Sequence, residues 1–90
     1  PFDVRGHLVG LASKSGEELE WKTSVVDLMK LFGLDSSVAG RRKAAKALGL
    51  SDSEIASVGS EEGNELLRTR LIGGLAANRG SLPFDPASIA

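Results

Sequence analysis

The only imidazole in the chain belongs to His7, whose unperturbed pKa near neutrality suits it to general acid-base work. The 90-residue sequence offers it no cysteine, no tyrosine and no second histidine with which to form a dyad. Between Val4 and Leu8 at helical spacing, His7 falls on or beside an apolar stripe and reads as a partly buried structural side chain. No catalytic residue is assigned. Carboxylates gather in two groups, Glu17, Glu18 and Glu20, then Glu61, Glu62 and Glu65. Neither group has the spacing of a recognised metal-binding loop, so no metal ligand is assigned. The first group reads as solvated, and the second as acidic residues favoured at the positive end of a helix. Neither Gly-x-Gly-x-x-Gly nor Gly-x-x-x-x-Gly-Lys occurs, which leaves no phosphate cradle and no expected cofactor.

The basic residues make a sharper pattern. Arg41, Arg42, Lys43 and Lys46 are four of the eleven cations, and they fall on one predicted helix behind a tight glycine-containing turn. Two helices of about 24–32 and 37–48 joined in this way have the punctuation of a helix-turn-helix, with Arg42, Lys43 and Lys46 as the surface for nucleic acid or another anionic partner. Arg41 lies between Val38 and Leu48 on the inward side, so its stem is expected to pack while its head reaches Asp27 or Asp35. Asp35-Ser36 has the residue pair at which carrier proteins take a phosphopantetheine arm. The cations that follow it stand where carriers are typically acidic, which argues against that use. With twelve acidic residues against eleven basic ones, the net charge of −1 creates no broad field for polyanions, so recognition of charge must be local.

What positions these residues is a set of helices. Apolar residues recur at helical spacing, and no run of four or more alternates with a period of two. Helix one is expected from an Asp3 cap to about Lys14, with Val4, Leu8 and Leu11 inward and Gly16 as its stop. Trp21 precedes helix two, which Thr23 or Ser24 caps; Ser24 with Asp27 approximates a capping box, and Val25, Leu28, Met29 and Phe32 face inward. Gly33-Leu34-Asp35-Ser36 then ends one helix and starts the next, with Asp35 or Ser36 as the cap. Gly49-Leu50-Ser51-Asp52 repeats the device after helix three, and Ser51 with Glu54 forms a second capping-box pattern. A short helix over Asp52 to Val58 should bury Ile55 and Val58. A long one over about Glu61 to Asn78 should carry Leu67, Leu71, Ile72 and Leu75. Gly73 and Gly74 are unfavourable inside a helix, as are Gly6 and Gly10, and the two pairs are expected to mark a close helix one to helix five contact.

Trp21-Lys22-Thr23-Ser24-Val25-Val26-Asp27-Leu28-Met29-Lys30-Leu31-Phe32-Gly33-Leu34-Asp35-Ser36-Ser37 resembles a motif of a bacterial family known as domain of unknown function 3597. The resemblance runs from Phe2-Asp3-Val4 through Arg41, Ala45 and Lys46 to Leu75, Ala76 and Pro83. It implies a helical bundle and brings no activity with it. The last helix departs from the family pattern near Leu66 and Arg68, where an aromatic residue and a histidine would be expected.

These readings converge on an all-α protein, a small four- or five-helix orthogonal bundle over 1–80 with an irregular C-terminal tail or linker over 81–90. Twenty-seven large apolar residues and ten alanines suffice for one core without disulfides. The longest apolar stretch, Val25 to Leu34, is broken by Asp27 and Lys30 and falls short of the roughly 20 residues of a membrane span. The chain starts at Pro1 without a signal sequence and reads as an excised or processed piece. Pro-Phe-Asp occurs at both Pro1 to Asp3 and Pro83 to Asp85. Trp21, Gly33, Leu34, Asp35, Gly49 and Leu50 are expected to be structural. Phe84 and Ile89 would anchor the tail across the domain or bind a partner. The expected role is a non-catalytic protein-interaction or structural module whose partner is another protein or a second copy, with nucleic-acid binding as the alternative.

Overall fold

A computed structural model describes residues 2–89. Five helices follow one another: α1 Val4–Ser15, α2 Val25–Leu31, α3 Val38–Ala47, α4 Asp52–Ser57 and α5 Glu61–Ala77, with a 3-10 turn over Pro86–Ile89. No strand occurs among the described residues, and the one bridge, Val58 to Ser60, lies in the α4–α5 turn.

Capping explains where these helices begin. Asp3, Ser24, Ser37, Ser51 and Ser60 each accept a hydrogen bond from the backbone N–H three residues on, satisfying a donor that the first helical turn leaves unpaired. At α4 the box is reciprocal, because the Glu54 carboxylate also accepts from the Ser51 N–H at 2.8 Å. At α2 the expected box is only half made. Ser24 Oγ accepts from the Asp27 N–H, but the Asp27 carboxylate accepts from the Glu20 N–H at 2.8 Å. The Ser24 N–H is already committed to the Glu20 carbonyl, so the carboxylate serves the preceding turn. The cap of α3 is also displaced. Ser37 takes that place, while Asp35 Oδ1 accepts from the Ser37 N–H at 3.0 Å and shapes the approach. Leu34 is still tied to the end of α2, so Asp35 and Ser36 are spent on turning the chain.

The two Gly-Leu hinges end their helices identically. Gly33 and Gly49 adopt φ of 68° and 83°, conformations that glycine reaches without steric cost. Their N–H groups donate to Lys30 and Lys46, and the following leucines donate to Met29 and Ala45, completing two Schellman motifs. At the end of α5 the same 6→1 bond runs from the Gly80 N–H to the Leu75 carbonyl, with Arg79 at φ 53° in the left-handed position.

α5 is the axis of the core. Leu67, Leu71 and Leu75, four apart, are fully buried together with Leu8 of α1 and Leu28 and Met29 of α2. α5 packs on α1, α2 and α4, while α3 packs on α4 and on the final 3-10 turn. Ala44, Ala45, Leu50 and Val58 continue the core toward α3, and Trp21 closes it ahead of α2. Ile55 is half-buried rather than enclosed.

The expected glycine contact between α1 and α5 does not form. A methyl group at Gly10 or Gly73 would meet nothing within 4 Å, and one at Gly6 would first meet its own Asp3 cap. α1 and α5 still pack on each other, with Leu8 buried and Val4 and Ile72 half-buried against the same core. Gly74 has another purpose: a Cβ there would lie 2.6 Å from Pro83 Cγ, so its absence seats the chain that returns from α5.

Candidate functional site

The basic residues of α3 separate by role. Arg41 turns inward, but its head goes to neither Asp27 nor Asp35. Nε donates to the Ser36 carbonyl at 3.0 Å and Nη1 to Asn64 Oδ1 at 2.8 Å. Asn64 also accepts from the Gly59 N–H at 2.9 Å, so one amide oxygen joins α3, the α4–α5 turn and α5. Sequence reasoning passed over Asn64, because an asparagine one turn into a helix has no local signature of such a tertiary role. Arg42, Lys43 and Lys46 are exposed and share an arc of about 100° on α3. Arg42 reaches the Val58 carbonyl at 3.3 Å. Lys43 and Lys46, with Ala47, line a shallow depression whose other wall is Ser88 and Ile89. Lys43 also helps hold the Asp35 carboxyl below its usual range, a smaller effect than the hydrogen bonds that Ser37 donates.

Phe84 and Ile89 lie half-buried against this chain's own core, as does Leu82. His7 is half-buried beside Phe2, with ring centroids 5.5 Å apart, and both rings cover Gly80, where a Cβ would come within 2.8 Å of either. The Arg79 guanidinium lies 5.8 Å from the Phe2 ring centroid. Here the N-terminal segment closes over the end of α5, and His7 works as packing. Pro1, the first residue of the Pro-Phe-Asp repeat, lies outside the described residues.

A different feature faces outward between α1, the Trp21 turn and α5. An open groove of about 290 Å³ has Val4, Leu8, Trp21 and Ile72 as its apolar lining, and Arg5, Lys22 and Arg68 as its cations. The Lys22 ammonium stands 5.7 Å from the Trp21 ring centroid, in cation-π range. Arg68 forms a bidentate pair with Glu65, Nε to Oε2 at 3.0 Å. That pair holds the Glu65 carboxyl below its usual range and raises the guanidinium further. Arg5 and Lys22 make no ion pair or side-chain hydrogen bond among the described residues. Val9, 49% exposed, is one helical turn beyond Arg5 on the same face of α1. Leu66 is half-buried against the core, and Arg68 is on the groove wall.

Thr23, Ser24, Val25 and Val26 face Glu61, Glu62, Asn64 and Glu65 across a wider cleft of about 820 Å³. Its carboxylates do not converge: no group of three potential ligands able to hold a metal ion occurs among the described residues. Nor is any helix among the described residues long and apolar enough to cross a membrane.

Four short helices and the leucine-lined α5, with grooves at their junctions, define a small all-α bundle domain. The chain belongs to the family described as "Domain of unknown function (DUF3597)", whose model matches residues 1–83. No curated protein and no solved structure matches it. The match ends at Pro83, the residue seated on Gly74, so the final 3-10 turn lies beyond it.

Proposed function

We propose that this domain is a non-catalytic protein-interaction module that engages its partner through the groove between α1, Trp21 and α5. The observation that carries this reading is the groove itself. Half-buried Val4 and Ile72 reach solvent on its wall over the buried Leu8 and Trp21, and the exposed Val9 lies one turn along α1 from its rim. Helices on either side fix its walls, so a partner would meet a preformed surface.

A second reading, nucleic-acid binding through the α2–turn–α3 unit, draws on the exposed arc of Arg42, Lys43 and Lys46. It has less support. α2 packs chiefly on α5 and α1, and α3 on α4 and the last turn, so α3 is not braced by α2 as a recognition helix would be. Ser88 and Ile89 also flank the same cations.

Photo-crosslinking separates the two readings. Benzoylphenylalanine replaces Val9 in one variant and the exposed Ala39, beside Arg42 and Lys43 on α3, in another. A discrete protein adduct from position 9, absent from position 39, is the expected result. A nuclease-sensitive adduct from position 39 alone would establish the second reading, and identical background from both positions would remove the first.

A further inference from the structure

The rim of the α1–Trp21–α5 groove indicates what its occupant must be. At about 290 Å³ and open to solvent, the groove sits at the small end of ligand sites, which span roughly 300–1,000 Å³. It holds one large side chain rather than an enclosed cofactor. Three cations surround that slot, and one carboxylate, Glu65, is paired with them through Arg68. Arg5 on α1 and Lys22 beside Trp21 are exposed and have no anionic partner among the described residues. An apolar slot between uncommitted cations favours a ligand with an apolar anchor and flanking negative charge. A basic ligand would be repelled, and a neutral one would leave the charges unused.

We infer that the groove receives an acidic segment of a partner protein, seating one large aliphatic or aromatic side chain against Val4, Ile72 and the edge of the buried Trp21 while carboxylates on either side pair with Arg5 and Lys22. This deepens the interaction reading above and rests on it. The contact is weak and salt-sensitive, because rim ion pairs are solvent-exposed and contribute little each. Its selectivity comes from requiring anchor and charge together.

The test uses the whole chain and the heptapeptide acetyl-Glu-Asp-Glu-Leu-Glu-Asp-Glu-amide, read by the fluorescence of Trp21, the only tryptophan. The peptide should change the emission saturably. Affinity should fall about tenfold or more when Arg5→Gln and Lys22→Gln are combined, and about fivefold when the peptide's leucine becomes alanine. Lys43→Gln with Lys46→Gln on α3 should leave it unchanged. All four positions are exposed, so the variants should melt as the parent does. Equal affinity for a peptide with Gln and Asn in place of Glu and Asp would overturn the charge requirement and leave the interaction reading standing. Tighter binding of a 12-base single strand, lost in the Arg5/Lys22 variant, would overturn the partner class. No response to any peptide overturns the inference. The crosslink from position 9 then decides the broader reading: a protein adduct preserves it, and its absence ends it.

Discussion

At the scale of single residues, the glycines show how position overrides propensity. Gly40 and Gly63 are both third residues of their helices, and a Cβ at either would collide with a backbone carbonyl packed on the first turn, that of Asp35 in the α2–α3 loop or of Ser57 at the end of α4. Gly73, about three turns further along α5, faces open space. In a helix interior alanine is favoured over glycine by about 1 kcal/mol. Gly73→Ala should therefore raise stability by up to about that amount, whereas Gly63→Ala should lower it by about 1–3 kcal/mol through the backbone clash. Urea denaturation of the two variants checks both signs at once. A gain from Gly63→Ala would show that the α4–α5 turn yields easily. Asn64 teaches the same lesson for polar side chains, since its value lies in joining Arg41 to Gly59 across two elements.

At the scale of elements, the helices depend on their caps because all but α5 are short. α4 has only six residues, and isolated helices of fewer than about 12 are marginal in water. Its box therefore matters, and it is sensitive to acid. Hydrogen bonding by the backbone N–H of Ser51 holds the Glu54 carboxyl below its usual range, with Arg70 adding a smaller effect. A carboxylate whose folded pKa is depressed contributes stability that is complete above its unfolded pKa and is lost as pH falls through the folded value. Asp35 and Glu65 shift in the same direction. These groups should leave the thermal midpoint nearly flat from pH 7 to about pH 5 and lower it below about pH 4. Glu54→Gln should melt lower at neutral pH and lose part of that acid dependence. Parallel pH profiles for the parent and the variant would show that the box carries no such linkage. At neutral pH Ser51→Ala should cost about 1 kcal/mol.

At the scale of the whole molecule, the radius of gyration is 12.2 Å, matching the roughly 12 Å of a folded chain of this length. The final segment belongs to that body: Pro83 sits on Gly74, and Leu82, Phe84 and Ile89 pack against the core. Deleting residues 84–90 removes two half-buried large side chains, worth roughly 2–3 kcal/mol together. The thermal midpoint should then fall by roughly 10–20 °C while the far-ultraviolet circular dichroism at 25 °C stays helical. The deletion also uncovers the depression beside Lys43 and Lys46. An unchanged midpoint would show that the segment rests on the bundle without stabilising it.

Features with local causes were legible in the order of the residues. Leucines four apart defined the buried face of α5, Gly33 and Gly49 marked the helix ends, and Ser51 with Glu54 announced a capping box. Each follows from atoms within a few residues of one another, so periodicity and residue type suffice. Which helix meets which depends on contacts between residues far apart in the chain, and there the fold departs most from local expectation. Gly74 accommodates Pro83 instead of α1, the Asp27 carboxylate turns back to Glu20, and Arg41 finds Asn64, 23 residues away, in place of an aspartate. The groove is the fullest case. Arg5, Trp21, Lys22, Arg68 and Ile72 span 68 residues and share no periodicity. They come together because the leucine axis of α5 draws α1 and the Trp21 turn onto the same helix.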